Sequence, residues 1–324
     1  MKKILPLLCL LPLFCGAQNY IDLVTIGYGQ VFNNKFEGHS GSTSVKSIDA
    51  DLTFPIVLNG ANAIVTGLLF SRNHVTLFPS GPMPANNTGA PPFPFTDGTS
   101  LYSTTLKIGL ATTFNERWSG TFVALPKLAS DYVTLTNRDL YMGGAALFKY
   151  KKRENLVYRF GLYAMGQAYG LFTTPILGFY YLAPGQKFEA DVSMPVSADV
   201  NYKLGNHAVG FDYFAIGRSF YVHKQNAPTV YVDYVALELA AYYQYGILDN
   251  SILLRAKAGY ATSDLEVYAE GDNLDLRVSA IELGDGRTQL NPAITGGAFL
   301  KFEAIYRFRT TRANTTKPGE TLEN

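Results

Sequence analysis

From Lys187 to Lys203 apolar and polar residues alternate without interruption. Phe188, Ala190, Val192, Met194, Val196, Ala198, Val200 and Tyr202 share one parity, and Lys187, Glu189, Asp191, Ser193, Ser197, Asp199, Asn201 and Lys203 the other. A period of two places successive side chains on opposite faces of a strand. The pattern predicts one long strand over 187–204 with an oily face and a wet one. Strands in water-soluble domains usually run about 3 to 10 residues, so this length fits a sheet that crosses a bilayer obliquely.

The alternation recurs. Ile48, Ala50, Leu52, Phe54 and Ile56 oppose Asp49 and Asp51, and Leu300, Phe302, Ala304, Tyr306 and Phe308 oppose Lys301, Glu303 and Arg307. Between 252 and 262 Leu254, Ala256 and Ala258 alternate with Arg255 and Lys257, and from 231 to 245 Glu238 and Gln244 sit on the face opposite the apolar one. Tight breaks fall at Asn59-Gly60, Asn115-Glu116, 152–155, Gly205-Asn206 and Asp249-Asn250, rich in the Gly, Asn and Asp of hairpin turns.

Five short turns on one side imply twelve strands with both termini on that side: 21–32, 44–58, 61–75, 100–114, 117–130, 139–151, 155–183, 187–204, 207–222, 230–248, 251–269 and 291–309. The seventh is long and interrupted by Thr173, Thr174 and Pro175; if it splits, the count rises to fourteen. Residues 274–284 form a spare strand, placed as an extension beyond the barrel.

The chain begins with Lys2, Lys3 and the apolar run from Ile4 to Phe14, then Cys15-Gly16-Ala17, which reads as a cleaved signal peptide over 1–17. Lipidation at Cys15 is the weaker alternative, because Phe14 is bulky where a lipobox needs a small residue. Both cysteines, Cys9 and Cys15, leave with the signal, so disulfides and thiolate metal sites are excluded from 18–309. Without Lys2 and Lys3, 25 basic residues face 26 acidic ones, and no basic field exists to attract nucleic acid. No later apolar run approaches the roughly 20 residues of a membrane helix, which leaves a closed barrel as the spanning structure. Residues 310–324 are polar and are expected to form a disordered tail.

The chain resembles a family of uncharacterised outer-membrane β-barrel proteins of Gram-negative bacteria. The resemblance is carried by the segment from Lys2 to Ala17, Phe54-Pro55-Ile56, Met194-Pro195-Val196, the run from Gly210 to Tyr221, Ala258-Gly259-Tyr260 and the closing Tyr306-Arg307-Phe308. It implies an all-β transmembrane antiparallel barrel in outer-membrane lipid, assembled by the barrel-insertion machinery that reads an aromatic such as Phe308. No catalytic residue comes with it.

On this topology the polar faces turn inward, giving a lumen network of Asp49, Asp51, Glu189, Asp191, Asp199, Lys203, Glu238, Arg255, Lys257, Lys301, Glu303 and Arg307, with Lys107 and Arg159 also inward. The leading expectation is a non-enzymatic barrel that passes or binds a small polar solute through a narrow lumen, with no cofactor, no bound metal and an open oligomeric state. The alternative is an interaction or structural barrel acting through its outer loops, chiefly 79–98 and 270–290. A phospholipase-like rim hydrolase is a third reading: it would need His74 with Ser71, or His223 with Ser219, close together. Glu270, Asp272, Asn273, Asp275 and Asp285 are an oxygen-rich stretch without the spacing of a calcium loop.

Overall fold

A computed structural model describes residues 20–80, 97–224 and 227–309. The expected signal peptide 1–17, the Pro-rich stretch 81–96 and the expected tail 310–324 lie outside the described residues. The strands are β1 (Tyr20–Lys35), β2 (Ser42–Val57), β3 (Asn62–Val75), β4 (Thr99–Thr113), β5 (Trp118–Ala124), β6 (Lys127–Ser130), β7 (Leu140–Tyr141), β8 (Gly143–Arg153), β9 (Leu156–Gln167) and β10 (Gly170–Leu182). They continue with β11 (Phe188–Met194), β12 (Ser197–Leu204), β13 (His207–Val222), β14 (Val230–Ile247), β15 (Ile252–Ala261), β16 (Asp264–Ala269), β17 (Leu276–Val278), β18 (Ile281–Leu283) and β19 (Gly297–Arg309).

Three pairs are single strands whose register runs through a short irregularity: β5 with β6, β7 with β8, and β15 with β16. Each antiparallel neighbour pairs with the next, and β1 pairs with both β2 and β19, so the sheet closes. The result is an all-β antiparallel barrel of fourteen strands, the alternative count rather than twelve. Closure leaves no continuous unpaired edge, the condition for a sheet surrounded by lipid.

Two expected strands are hairpins. The segment 155–183 splits at Ala168-Tyr169, not at Thr173–Pro175. Pro175 sits within β10 above Leu177, the last β10 residue paired with β11, and such an edge stretch tolerates a residue without an N–H. The segment 187–204 folds back at Pro195-Val196, with Val196 N–H donating to the Ser193 carbonyl at 2.9 Å and Ser193 facing Ser197. Residues facing each other across this hairpin share parity, so the alternation passes through the turn unbroken.

The tight breaks are turns for a local reason. Asn59 Oδ1 accepts from Ala61 N–H and Asn62 N–H at 2.9 Å, and Asn115 Oδ1 accepts from Arg117 N–H at 2.9 Å and Trp118 N–H at 3.0 Å, so each asparagine caps its own reversal. Gly205 takes φ 68°, a left-handed value that a glycine adopts without strain. These turns share one end of the barrel with both strand termini; the connections at the other, loop end are mostly longer.

Outward residues are oily around the circumference: Ile26, Ile108, Leu177, Phe211, Tyr260 and Phe302 are each more than half exposed. Such a surface is costly in water and favourable in lipid. Trp118 lies 5.0 Å from the Tyr150 ring and 5.7 Å from Phe160, an aromatic cluster near the turn end of the kind that marks a membrane interface.

The loop end is packed shut. There β13 leans across the mouth: Tyr221 bridges to Ser130 of β6 in parallel, and Asp131 N–H donates to the Tyr221 carbonyl at 2.9 Å. Val31, Val45, Val75, Leu101, Phe220, Val232, Tyr234, Leu265 and Val267 fill the space beneath as one buried apolar core. Full burial of each such side chain is worth about 1.5–3 kcal/mol. Over this core the β17–β18 hairpin docks parallel on β10, Leu171 to Thr173 against Leu276 to Val278. The single spare strand expected beyond the barrel over 274–284 is instead a hairpin folded against the wall, with Ser279 and Ala280 turned to the interior.

Arg277 and Arg287 pin this extension. Arg277 donates to both oxygens of the buried Asp233 at 3.0 and 2.6 Å, and Arg287 to Asp233 Oδ2 at 3.0 Å. Their guanidinium groups lie 4.4 Å from the Tyr169 ring and 4.2 Å from the Tyr268 ring. Hydrogen bonds from Arg287 hold the Asp285 carboxyl well below the usual carboxylate range.

Candidate functional site

Below the core the inward residues are charged and paired. Asp51 bonds Lys107, Asp191 bonds Arg159, and Lys257 bridges Asp212 and, at 3.1 Å, Glu303. Lys301 lies 3.2 Å from Asp49 and 3.7 Å from Glu238, and Arg218 stands 4.0 Å from Asp49. Arg255 donates to Asp199 at 3.0 Å and to Gln244 at 2.8 and 3.0 Å, while Tyr242 donates to Asp199 at 2.6 Å. Nearer the turn end Lys203 meets Glu189 at 2.5 Å, and Arg307 grips Asp22 at 2.6 and 2.9 Å.

Every residue proposed for the lumen from the alternation therefore has a partner inside the barrel. Sequence reading did not list Asp22, Asp212, Arg218 or Tyr242. Asp212 and Arg218 share parity within β13, which was available as a signal, whereas Asp22 precedes a register shift in β1 that reverses its phase. Desolvated ion pairs hold each other in place, and removal of one partner costs far more than the pair contributes.

Two cavities lie along the axis. A chamber of about 950 Å³ is lined by the paired charges and, toward the loop end, by Leu69, Leu125, Tyr163, Met165 and Phe172. A vestibule of about 420 Å³ at the turn end is lined by Tyr180, Gln186, His207 and Asn250 among others. Tyr20, Lys203, Gln244 and Arg307 line both and so form the partition. Tyr20 is its centre: the Arg307 guanidinium lies 3.6 Å from its ring, and its hydroxyl donates to Glu189 at 2.6 Å.

The chamber also reaches the side wall. β11 and β12 are only seven and eight residues long, against thirteen for β10 and sixteen for β13, so these strands stop at Pro195-Val196, and above them the edge of β10 pairs with β17 instead. Pro195, Val196 and Gly217 line the chamber there. Above this tip Phe172 reaches from β10 to the backbone of β13, where a Cβ on Gly217 would lie 3.9 Å from its ring.

The rim-hydrolase pairs are apart. His74 Nδ1 meets Ser100 Oγ at 3.0 Å, whereas Ser71 lies on the opposite face of β3 and lines the chamber. Ser219 donates to Gln167 Oε1 at 2.9 Å, while His223 Nε2 faces Asp139 at 2.9 Å. Among the described residues no three His, Cys, Asp or Glu side chains gather as metal ligands: Glu270 pairs with Arg138 and Asp285 with Arg287.

The fold and lumen thus define a closed, transmembrane-type antiparallel barrel with a charged interior, obstructed at both ends. Residues 98–268, more than half of the chain, match the family described as "Domain of unknown function (DUF6268)", and the chain belongs to that family. No curated protein matches it in sequence. Among solved structures it is similar to the P. putida toluene transporter TodX, at 11% identity over 90% of this chain and 91% of that one, TM-score 0.36. Pseudomonas aeruginosa OccK9 (OpdG) is similar at 9% identity over 88% and 97%, TM-score 0.26. The outer membrane protease OmpT from Escherichia coli is similar at 8% over 89% and 95%, TM-score 0.21. At these scores the likenesses bear on neither solute nor mechanism.

Proposed function

We propose that the protein is an outer-membrane barrel of a Gram-negative cell that binds and passes a small solute through its narrow lumen. The turn end faces the periplasm, outer-membrane lipid covers the oily circumference, and the insertion machinery reads β19, which carries Phe308. The observation that carries the reading is the pair of axial cavities, separated at the turn end by one thin layer around Tyr20. Because the loop end is packed, access from outside runs past Phe172 at the side wall, between the tip at Pro195-Val196 and the β17–β18 hairpin docked on β10 above it, rather than down the axis. Charged groups along this route would set selectivity.

Planar-bilayer conductance tests it. The wild type should carry a small current, and Tyr20→Ala, which joins vestibule to chamber, should raise it severalfold. No current from either protein overturns passage. A second reading, an interaction barrel acting through its loops, has one specific support: the segment pinned by Arg277 and Arg287 presents Ile281 and Leu283 to solvent, 63% and 48% exposed.

A further inference from the structure

The charges of the lumen are not evenly distributed between its walls. Strands β4 to β10 contain no Asp or Glu at all. Their charges on the inward face are Lys107, Lys127, Lys149, Lys151 and Arg159, all basic, and Lys151 pairs with Glu154 in the β8–β9 turn. The outer two borrow carboxylates from flanking strands, Lys107 from Asp51 and Arg159 from Asp191. Among the described residues, Lys127 and Lys149 have no carboxylate within ion-pair distance.

Lys127 is the better placed of the two. It is 4% exposed and lines the chamber, and its ammonium has one hydrogen-bond partner, Gln167 Oε1 at 2.7 Å, with the Tyr141 ring 4.7 Å away. An ammonium has three donors, and a buried cation is costly without a counter-charge. Ser71 Oγ, also lining the chamber, is buried without a partner. Around them the same wall is apolar, through Leu69, Leu125, Met165 and Phe172, and it runs without an acidic group to the tip at Pro195.

We infer that this wall is a binding site for a small organic monoanion, its carboxylate on Lys127 Nζ and its hydrocarbon body over Leu125, Met165 and Phe172. The assignment rests on reading the lumen as a solute chamber and names the class of solute. On the opposite wall the cations are already matched by carboxylates, which leaves Lys127 as the counter-charge that orients the anion.

The test uses the full mature barrel in nanodiscs, with 4-phenylbutyrate, 4-phenylbutanol and 4-phenylbutylamine measured by calorimetry against empty nanodiscs. The acid should bind at least about tenfold more tightly than the alcohol or the amine, the size of one charge-assisted hydrogen bond. Lys127→Met should bring the acid down to the level of the alcohol, and Lys127→Arg should keep the preference. Thr105→Glu, which sets a carboxylate opposite Lys127 in the β4–β6 register, should abolish it with the lysine in place, so the result does not depend on one variant folding. Equal binding of acid and alcohol by the wild type, or a preference that survives Lys127→Met and Thr105→Glu, overturns the assignment. Current without acid binding would sink this site alone; acid binding without current would sink passage alone.

Discussion

At the loop end the lumen is closed by interlocked apolar side chains drawn from eleven of the fourteen strands, and at the turn end by a single layer in which Tyr20 is held between Arg307 and Glu189. The first closure is collective: each side chain is supported by others at packing density, and none alone is the door. The second is hinged on one residue, and its contacts are polar groups that water can replace. A barrel built this way should leak at the turn end long before the loop end yields. Under the proposed passage, solute traffic should be controlled where charge, not packing, closes the path.

Truncation in the packed closure should have the largest effect on stability and a small one on current. Phe220→Ala, at a fully buried position, should cost about 3–5 kcal/mol in urea unfolding from lipid vesicles, with conductance close to wild type. A large current from this variant would show that the core is a thin gate. Arg307→Met should reverse the pattern: it strands Asp22 and uncovers Tyr20, costs about 1.5–3 kcal/mol in the same unfolding assay, and raises conductance. An unchanged current would break the contrast between the two ends.

The smallest effect concerns the pinned segment over the loop end. Because Asp285 has a carboxyl pKa lowered by Arg287, it contributes stability above the ordinary carboxylate pKa, and that contribution is lost as pH falls through the lowered value. At about pH 4, where Asp285 is still charged, pepsin should cut near Leu283 and Leu290 more slowly in the wild type than in Asp285→Asn, and the two rates should converge as the medium is made more acid. Equal rates for the two proteins at about pH 4 would refute the role given to the Asp285–Arg287 contact.

The alternation along Leu52–Ile56, 188–202 and 300–308 made the barrel legible, because the membrane leaves the two faces of a strand no common chemistry. Asn59 and Asn115 marked their turns by the same side-chain bonds that build them. The hairpin at Pro195-Val196 was hidden for a geometric reason: a three-residue connection preserves parity, so a fold-back looks like continuation. The reversal at Ala168-Tyr169 is marked only by Gly170, at φ 128°, and the bridge from Tyr221 to Ser130 joins positions about ninety residues apart with no local signature. Lys127 was missed because its face reads as apolar, through Val123, Leu125 and Ala129. The stronger signal was compositional: between Thr99 and Leu182 every Asp and Glu lies outside the strands.

The short hairpin β11–β12 also bears on the bilayer. Seven residues at about 3.4 Å each span about 24 Å, and at a tilt near 40° they rise only about 18 Å, below the roughly 25 Å apolar band of such barrels. On one sector, then, the strands that run up from the turn end stop short of that band, and the β17–β18 hairpin docked on β10 completes the wall above them. That sector is closed by a segment inserted from far along the chain, which gives an otherwise regular cylinder a preferred side. Loss of the Asp233 pins would loosen the wall there while the fourteen strands stay paired.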